Sequence, residues 1–468
     1  MNEPGNTSNL PDPVSSWSEQ GPLNDSLVGQ PRVIVKFEDN AELPASEFTG
    51  AELLDQFTWH AAPLSTKVVF KPHFRNHGSE QINQLVQRAK RLTPGYQPSN
   101  FLNFRHVDVE DEQAGRRLAR ELTALAGIDF AYLHPGPIEP PAPEATNNPL
   151  STLQLYLDPE PVGIDARYAW TVLGGNGENQ QLGDVEMGWN IQHTDLAGIA
   201  FKQVAVGYQK YLAHGTKVLG VIASRDNASL CEGITPALNS IVTVGQWRST
   251  TDYVTDEAVI DAIAELNPGD VLLLEAQTTF NGIKNVPLES EPAVFCAVEL
   301  AIATEIVVIE AAGNNGLVNL DSVQDESGNY IFDRKTRDSG AIIVASASMD
   351  ACEKWHRFWT SCYGGRVDCF AHGENVVTLS TTEDGVNINA WSNSFGETSS
   401  AASIVAGAAL ALQGVASKRY GAHLTPLQIR DLLSCDLLNT ASAFPQTDLI
   451  GVMPNLRQII DSLPTTKP

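Results

Sequence analysis

The sequence predicts an α/β protein whose main domain holds a mostly parallel sheet, preceded by a small α+β domain. After residue 150, short apolar segments alternate with helical patterns, which is typical of parallel strands buried on both faces. Between residues 134 and 149, six prolines oppose regular structure, and they predict a linker over 135–150. The 468 residues, 42% of them hydrophobic, suffice for two compact domains.

The first domain is predicted over residues 32–134, after a disordered tail at 1–31 that is rich in Ser, Pro, Asn and Gly. Alternating hydrophobicity indicates strands, and apolar residues at helical spacing indicate amphipathic helices. Two helices among strands in a segment of this length favour a small α+β sandwich. The predicted strands are 33–37, 67–70 and 128–133, and the predicted helices are 80–92 and 112–126.

The second domain is predicted over residues 151–468. In parallel sheets, functional side chains collect where strands end and where the following helices begin. Those positions are therefore the first places to look for chemistry. The predicted strands are 182–185, 241–244, 271–274, 306–309 and 342–345, and the predicted helices are 216–223, 256–266, 292–304 and 399–415.

The charge of the chain disfavours several classes of partner. Asp and Glu number 56 against 30 Lys and Arg, which gives a net charge of −26. Such an acidic surface repels phosphate backbones and anionic lipids. We therefore expect neither a nucleic-acid nor a membrane partner. No signal peptide is visible in the tail, which leaves the location unknown, either cytoplasmic or reached by leaderless export. The six cysteines form no CxxC pair, and one or two disulfides remain open.

Two segments carry candidates for acid–base chemistry. Asp184 and Glu186 are two residues apart at the end of a predicted strand, so both carboxylates lie on one face. The alternative is a solvated strand end. His214 precedes a predicted helix, where an imidazole acts as a base if a carboxylate holds its other nitrogen. The alternative is a capping or surface histidine.

Two further segments carry candidates for a nucleophile and its support. Asn314 lies in a glycine-bracketed turn after a buried strand, from which its amide can face a developing oxyanion, although Asn-Gly is also ordinary turn chemistry. Ser399 opens a long helix of small apolar residues, whose dipole favours negative charge at that end. The alternative is a helix cap, because Thr398, Ser399 and Ser400 are all good caps.

The order acid, His, Asn, Ser along the chain is the subtilisin order. The local sequences strengthen this likeness, and over about residues 170–460 the chain resembles the subtilisin-like serine peptidases, the subtilase family. The motifs that carry the resemblance are His214-Gly215-Thr216, Ala311-Ala312-Gly313-Asn314-Asn315-Gly316, Thr398-Ser399-Ser400-Ala401 and Gly233-Ile234-Thr235-Pro236-Ala237.

The resemblance implies a subtilisin-like three-layer fold and a serine endopeptidase that works through an acyl-enzyme. Ser399 would then be the nucleophile and His214 its base, and Asn314 would stabilise the oxyanion. Glu186 occupies the position of the family's acid, seven residues before His193. Asp184, on the same strand face, is the alternative acid.

Three departures from the family pattern bear on activity. The acid is Glu186 where the family has Asp, Glu397 stands where Gly precedes Thr-Ser, and Ser403 stands where the family usually has Pro. None of these changes removes a catalytic atom, so we expect attenuation rather than loss. The alternative is a catalytically impaired homologue that binds peptides or a partner protein. The sedolisins also use a Glu, but they lack the His-Gly-Thr segment.

The resemblance also implies partners for the site. A substrate peptide would pair along the strand that ends at Leu274, Glu275, Ala276 and Gln277, with Gly313 beside it, and Gln277 replaces a glycine usual there. Residues 32–134 match in size the propeptide that assists folding and inhibits many subtilases, so the chain would be a zymogen cut at or near the linker. We expect a monomer acting on proteins or peptides. Structural calcium is compatible with the acidic surface, but no ligand can be assigned.

Overall fold

The structure, a computed structural model, describes residues 31–53, 68–140, 154–227 and 231–467. The predicted tail lies outside these residues except for Pro31, and so does the linker beyond Pro140. The α/β architecture is confirmed: a large, mostly parallel sheet flanked by helices follows a small α+β domain. All six cysteines are free.

The N-terminal domain is an antiparallel sheet with helices packed on it. Its elements are β1 (Arg32–Phe37), β2 (Phe48–Thr49), α1 (Gly50–Leu53), β3 (Val69–Pro72), α2 (Ser79–Leu92), β4 (Phe104–Asp108), α3 (Glu112–Thr123) and β5 (Ile128–His134). The strand order is β2-β3-β4-β1-β5. Because side chains alternate along β1, Val33 and Val35 pack under α3, whereas Ile34 faces the second domain.

The second domain is built on a ten-stranded sheet. Its helices are α4 (Ala166–Ala169), α5 (Leu212–Ala223), α6 (Thr255–Glu265), α7 (Pro292–Ala303), α8 (Glu397–Tyr420), α9 (Pro426–Leu433), α10 (Pro445–Asp448) and α11 (Leu456–Ser462). Its strands are β6 (Gln181–Glu186), β7 (Ala200–Val204), β8 (Ser240–Gly245), β9 (Trp247–Ser249), β10 (Asp252–Tyr253), β11 (Val271–Leu274), β12 (Gln277–Phe280), β13 (Ile283–Pro287), β14 (Val307–Ala311), β15 (Ile342–Met349), β16 (Trp355–Arg357), β17 (Cys369–His372), β18 (Val376–Ser380), β19 (Ala390–Phe395), β20 (Thr440–Ala441) and β21 (Val452–Met453).

The order of the large sheet brings three strand ends together. The order is β20-β21-β17-β15-β14-β11-β6-β8-β7, with β16 paired to β15, and the neighbours from β7 to β21 are parallel. The carboxyl ends of β6, β11 and β14 therefore lie side by side, and they carry the acid, substrate-strand and Asn segments. Helix α8 is long and apolar enough to cross a membrane, but its apolar window is entirely buried within the protein.

Two helix starts differ from the prediction. Helix α5 begins at Leu212 rather than after His214, so His214 lies inside its first turn. Helix α8 begins at Glu397 after the N-cap residue Gly396, so Ser399 is also a first-turn residue and not the cap. Both side chains are thereby fixed by helical backbone, which for His214 is a more rigid support than the position before the helix that was expected.

The N-terminal sheet docks on α6 and α7. Ile34 and Phe104 of the sheet share an apolar cluster with residues of both helices, such as Ile260 and Val294. Polar contacts surround this cluster at the first turns of α6. Glu257 Oε1 accepts the backbone N–H groups of Arg75 at 2.6 Å and Asn76 at 2.8 Å.

Histidines of the N-terminal domain meet acids of α6 at the same interface. His73 Nε2 lies 2.5 Å from Asp256 Oδ2, and His77 Nε2 lies 2.6 Å from Asp261 Oδ1. His134 is buried beside the ring of Tyr253, at a centroid separation of 6.1 Å. The docking surface therefore holds titratable groups as well as apolar side chains.

Candidate active site

The acid and the histidine meet in the interior of the second domain. Glu186 ends β6, and His214 lies in the first turn of α5; both are buried. Glu186 Oε2 lies 2.5 Å from His214 Nδ1, while its Oε1 accepts the Met187 backbone N–H at 2.7 Å. This arrangement holds the imidazole with its proton on Nδ1 and leaves Nε2 available as a base.

Asp184, the alternative acid, faces another partner. Its Oδ2 accepts the indole N–H of Trp189 at 2.7 Å, and it makes no hydrogen bond to His214. Burial raises the pKa of the Asp184 carboxyl well above its usual range, and the neighbouring Glu186 raises it further. Asp184 thus lies buried behind the pair, and the geometry brings Glu186 alone to the imidazole.

Ser399 lies in the pocket that His214 lines. As the third residue of α8, it has a backbone N–H in the first turn, where helical N–H groups lack intrahelical partners. His214 Nε2 is buried and has no hydrogen-bond partner among the described residues. The serine and the histidine therefore line one pocket, and no hydrogen bond between Ser399 Oγ and His214 Nε2 is present among the described residues.

Asn314 is held by its oxygen. Its Oδ1 accepts the hydroxyl of Thr398 at 2.7 Å and the Thr398 backbone N–H at 3.1 Å. The preceding Gly313 has φ = +90°, which sets the turn, and a Cβ there would meet the Asn285 carbonyl oxygen at 2.3 Å. Thr398 therefore supports Asn314, a role that sequence analysis did not predict, although Thr398 was named as a possible cap and as part of the serine motif.

Glu397, in place of the family glycine, adopts a glycine conformation. Its φ of +60° lies in the left-handed region, which costs a residue with a Cβ about 1 kcal/mol or more. Burial raises the pKa of its carboxyl, while the Thr360 hydroxyl and His214 lower it in part. The side chain therefore remains near the site but makes no hydrogen bond to Ser399 among those the structure records.

The residues predicted to bind substrate line the same pocket in part. Glu275, Ala276 and Gln277 border it, as does Asn314, whereas Leu274 is the buried end of β11. Gln277 Oε1 accepts the Asn314 backbone N–H at 2.9 Å, so the side chain that replaces glycine forms part of the wall. Gly313 shapes the turn without appearing in the lining.

The start of the linker lines this pocket, a position that sequence analysis did not predict. Ile138 and Pro140 are among the lining residues, beside Glu186, His214 and Ser399. Glu139 between them is hydrogen-bonded to the hydroxyl of Tyr211 and lies 3.9 Å from Lys210 Nζ. The proline content signalled an extended segment, but sequence gives no information on where such a segment lies.

No group of three or more His, Cys, Asp or Glu side chains converges as a metal site in the parts of the chain that the structure describes. Structural calcium accordingly stays a prediction without assigned ligands. The reactive groups in the described pocket are the acid–imidazole pair of Glu186 and His214, the Ser399 hydroxyl and the Asn314 amide.

An acid–imidazole pair, a serine and an amide at the carboxyl ends of parallel strands are the groups that a serine peptidase uses. A family model described as the subtilase family matches residues 201–452, more than half of the chain. The chain therefore belongs to the subtilase family and is a serine-type endopeptidase that acts on proteins or peptides.

Individual relatives agree with this assignment. Subtilisin DY of Bacillus licheniformis is 26% identical over 280 residues, which cover 58% of this chain and 88% of the relative. Fervidolysin of Fervidobacterium pennivorans, a keratinolytic enzyme related to subtilisin, matches with a TM-score of 0.53 and 17% identity over 94% of this chain. The chain spans 62% of fervidolysin's own length. A protease of Pseudoalteromonas arctica matches with a TM-score of 0.50 and 18% identity, over 68% of this chain and 99% of its own.

Proposed function

We propose that this endopeptidase uses Ser399 as nucleophile, His214 as general base, Glu186 as the acid that orients the base, and Asn314 in the oxyanion hole. The observation that carries the proposal is the 2.5 Å contact between Glu186 Oε2 and His214 Nδ1, in a pocket that Ser399 and Asn314 also line.

The chemistry follows from these positions. Ser399 Oγ attacks the scissile carbonyl carbon while His214 Nε2 accepts the hydroxyl proton, and Glu186 stabilises the imidazolium that forms. The Asn314 amide and the Ser399 backbone N–H donate to the carbonyl oxygen as it becomes negative. The imidazolium then protonates the leaving amine, and a water molecule, deprotonated by His214, hydrolyses the acyl-enzyme.

We further propose that residues 32–134 are the inhibitory propeptide of this enzyme and that the linker delivers the chain into its own cleft. Two observations support this: the N-terminal sheet docks on α6 and α7, and Ile138 and Pro140 line the pocket of Ser399. The segment that follows Pro140 is then the natural first substrate, so the cut falls at or just after the linker.

The nucleophile is tested with a fluorophosphonate probe on the full chain, incubated until any self-cleavage is complete and then mapped by peptide mass. We expect labelling of Ser399 that is lost in His214→Ala. Ser394→Ala, an upstream serine in β19, is the matched control and should label normally. Folded protein that never labels would favour the impaired homologue instead.

The propeptide role is tested by comparing the full chain with its Ser399→Ala variant during the same incubation. We expect the active chain to be cut once between Pro140 and the start of the second domain, and the variant to stay intact. A cut of equal rate in the variant would show that another protease makes it and would contradict self-processing.

A further inference from the structure

Glu275 is a buried acid between the substrate strand and the serine helix. It directly follows β11, is 4% exposed, and donates its backbone N–H to the Val185 carbonyl at 3.3 Å. No ion pair joins it to a Lys, Arg or His side chain within the described ranges. A carboxylate so placed is costly unless it is protonated.

Ser403 links Glu275 to the helix that carries Ser399. The Ser403 hydroxyl lies 2.7 Å from the Ser399 carbonyl oxygen and 3.2 Å from Glu275 Oε1, and it donates to both oxygens. An oxygen of a neutral carboxylic acid accepts such a bond as well as an ionised one does. This contact places Glu275 against α8.

The serine hydroxyl also faces Glu275. Hydrogen bonding from Ser399 and from Ser403 lowers the pKa of Glu275, against the larger effect of burial. His214 Nε2, by contrast, has no partner in the part of the chain that the structure describes. Ser399 and Glu275 line the same pocket, so the nucleophile lies beside this acid as well as beside the base.

The groups around Glu275 oppose its ionisation. Burial raises its pKa well above the usual range, and Glu186 and Asp184 of β6 raise it further. From the other elements packed around it, α5 contributes His214 to the same pocket, and the β14 end contributes the non-titrating Ala311 and Asn314. From α8, Glu397 interacts with His214 and Thr360, both of which lower the pKa of Glu397.

We propose that Glu275 is a positioning residue of the peptidase reaction: as a neutral acid it holds the Ser399 side chain and the first turn of α8, and its ionisation disables the site. An ionised Glu275 would retain the Ser399 proton and place a negative charge beside the developing oxyanion. The inference rests on the proposed roles of Ser399 and His214. It also accounts for Ser403 at a position where the family usually has proline.

The test follows the rate of fluorophosphonate labelling of the incubated full chain from neutral to alkaline pH. We expect the wild-type rate to fall by about tenfold or more on the alkaline side. Glu275→Gln, a neutral isostere that cannot ionise, should lose that fall. Asp184→Asn, which removes a neighbouring buried acid that does not touch Ser399, is the control and should retain it.

Infrared difference spectra of the same proteins give a readout independent of activity. A carboxylic-acid carbonyl band at neutral pH should be missing in Glu275→Gln and should disappear from the wild type over the pH range in which labelling falls. An alkaline fall that persists in Glu275→Gln, or a spectrum without this band, overturns the inference. Wild-type protein that labels at no pH instead overturns the proposed function, while the band still reports on Glu275.

Discussion

The side-chain oxygen of Asn314 lies 2.7 Å from the hydroxyl of Thr398, and it accepts the Thr398 backbone N–H as well. Two donors on the oxygen fix the orientation of the amide, because only the carbonyl end can accept them. The amide nitrogen is thereby turned to the other side, where it can donate. The residue before the serine thus orients the proposed oxyanion donor, which is 84 residues away in sequence.

The first prediction concerns this amide. Asn314→Ala should lower kcat by about 10² to 10³ with little change in KM, because the lost donor acts only in the transition state. Thr398→Val, which removes the hydroxyl alone, should cost about tenfold, since the backbone N–H still holds the oxygen. Steady-state kinetics on a peptide substrate measure both. Asn315→Ala, in the same turn, is the control; an equal loss there would point to turn disruption.

The second prediction distinguishes the two candidate acids. Glu186→Gln should lower kcat by about 10³ to 10⁴, because the amide cannot stabilise the imidazolium and favours the wrong tautomer. Asp184→Asn should remain within about threefold, since an amide oxygen can still accept the Trp189 indole N–H. Rates of self-cleavage and of peptide hydrolysis report both effects. The reverse ranking would assign the acid to Asp184.

The third prediction concerns the strained position before Thr398. Glu397→Gly should raise the free energy of unfolding by about 1 kcal/mol, because glycine adopts φ = +60° without a steric penalty. Denaturant unfolding in a Ser399→Ala background measures this without self-cleavage. Glu326→Gly, at a turn residue without positive φ, is the matched control and should not stabilise. A destabilised Glu397→Gly would mean that the Thr360 contact outweighs the strain.

The fourth prediction is a pH dependence of docking between the two domains. Burial lowers the pKa of His106 to about 3 and that of His134 to about 4. Their contribution to docking is full above the ordinary histidine pKa of about 6.5 and is lost as the pH falls towards the lowered values. The hydrogen bond to Asp261 raises the pKa of His77, so its contribution is present at low pH and is lost as pH rises through the raised value.

The contribution of His77 changes only above about pH 6.5, so His106 and His134 should weaken docking as the pH falls below that value, by up to tenfold per pH unit for each of the two groups. Protection factors from hydrogen exchange of β4 and α6 in the Ser399→Ala chain, corrected for the intrinsic exchange rate at each pH, measure it. The double variant His106→Gln/His134→Gln should flatten the dependence, and His77→Gln should leave it unchanged. Protection that rises on acidification below about pH 6.5 would contradict the prediction.

Sequence patterns anticipated the elements whose apolar signal is strong. Strand β11 was predicted at its observed bounds, because four buried apolar residues in a row leave little ambiguity. Strand β7 was missed because its side chains are mostly not buried, so its pairing with β8 depends on backbone hydrogen bonds that leave no hydrophobic pattern. The helix carrying His214 was predicted too short, because its first residues precede Gly215 and the prediction began only after that glycine.

Only part of the candidate site could be predicted from the sequence. Residue types and their order along the chain were enough to select Glu186, His214, Asn314 and Ser399 as candidates. The contacts of Thr398, Gln277 and Glu275 depend on which side chains the parallel strand ends bring within 3 Å or so of one another, which is a property of the sheet and not of any local motif. Sequence analysis could not predict that the linker lines the pocket either, because an extended segment has no sequence pattern that indicates its contacts.

The placement of Ile138 and Pro140 beside Ser399 has a kinetic consequence. A peptide bond tethered next to its own nucleophile reacts at an effective concentration set by chain geometry, which dilution does not change. If Ser399 makes the first cut in its own chain, as proposed, that cut is first-order, and its half-time is the same in a dilute and in a concentrated solution. A Ser399→Ala chain mixed with freshly made active chains should then stay uncut while the active chains complete their own first cut.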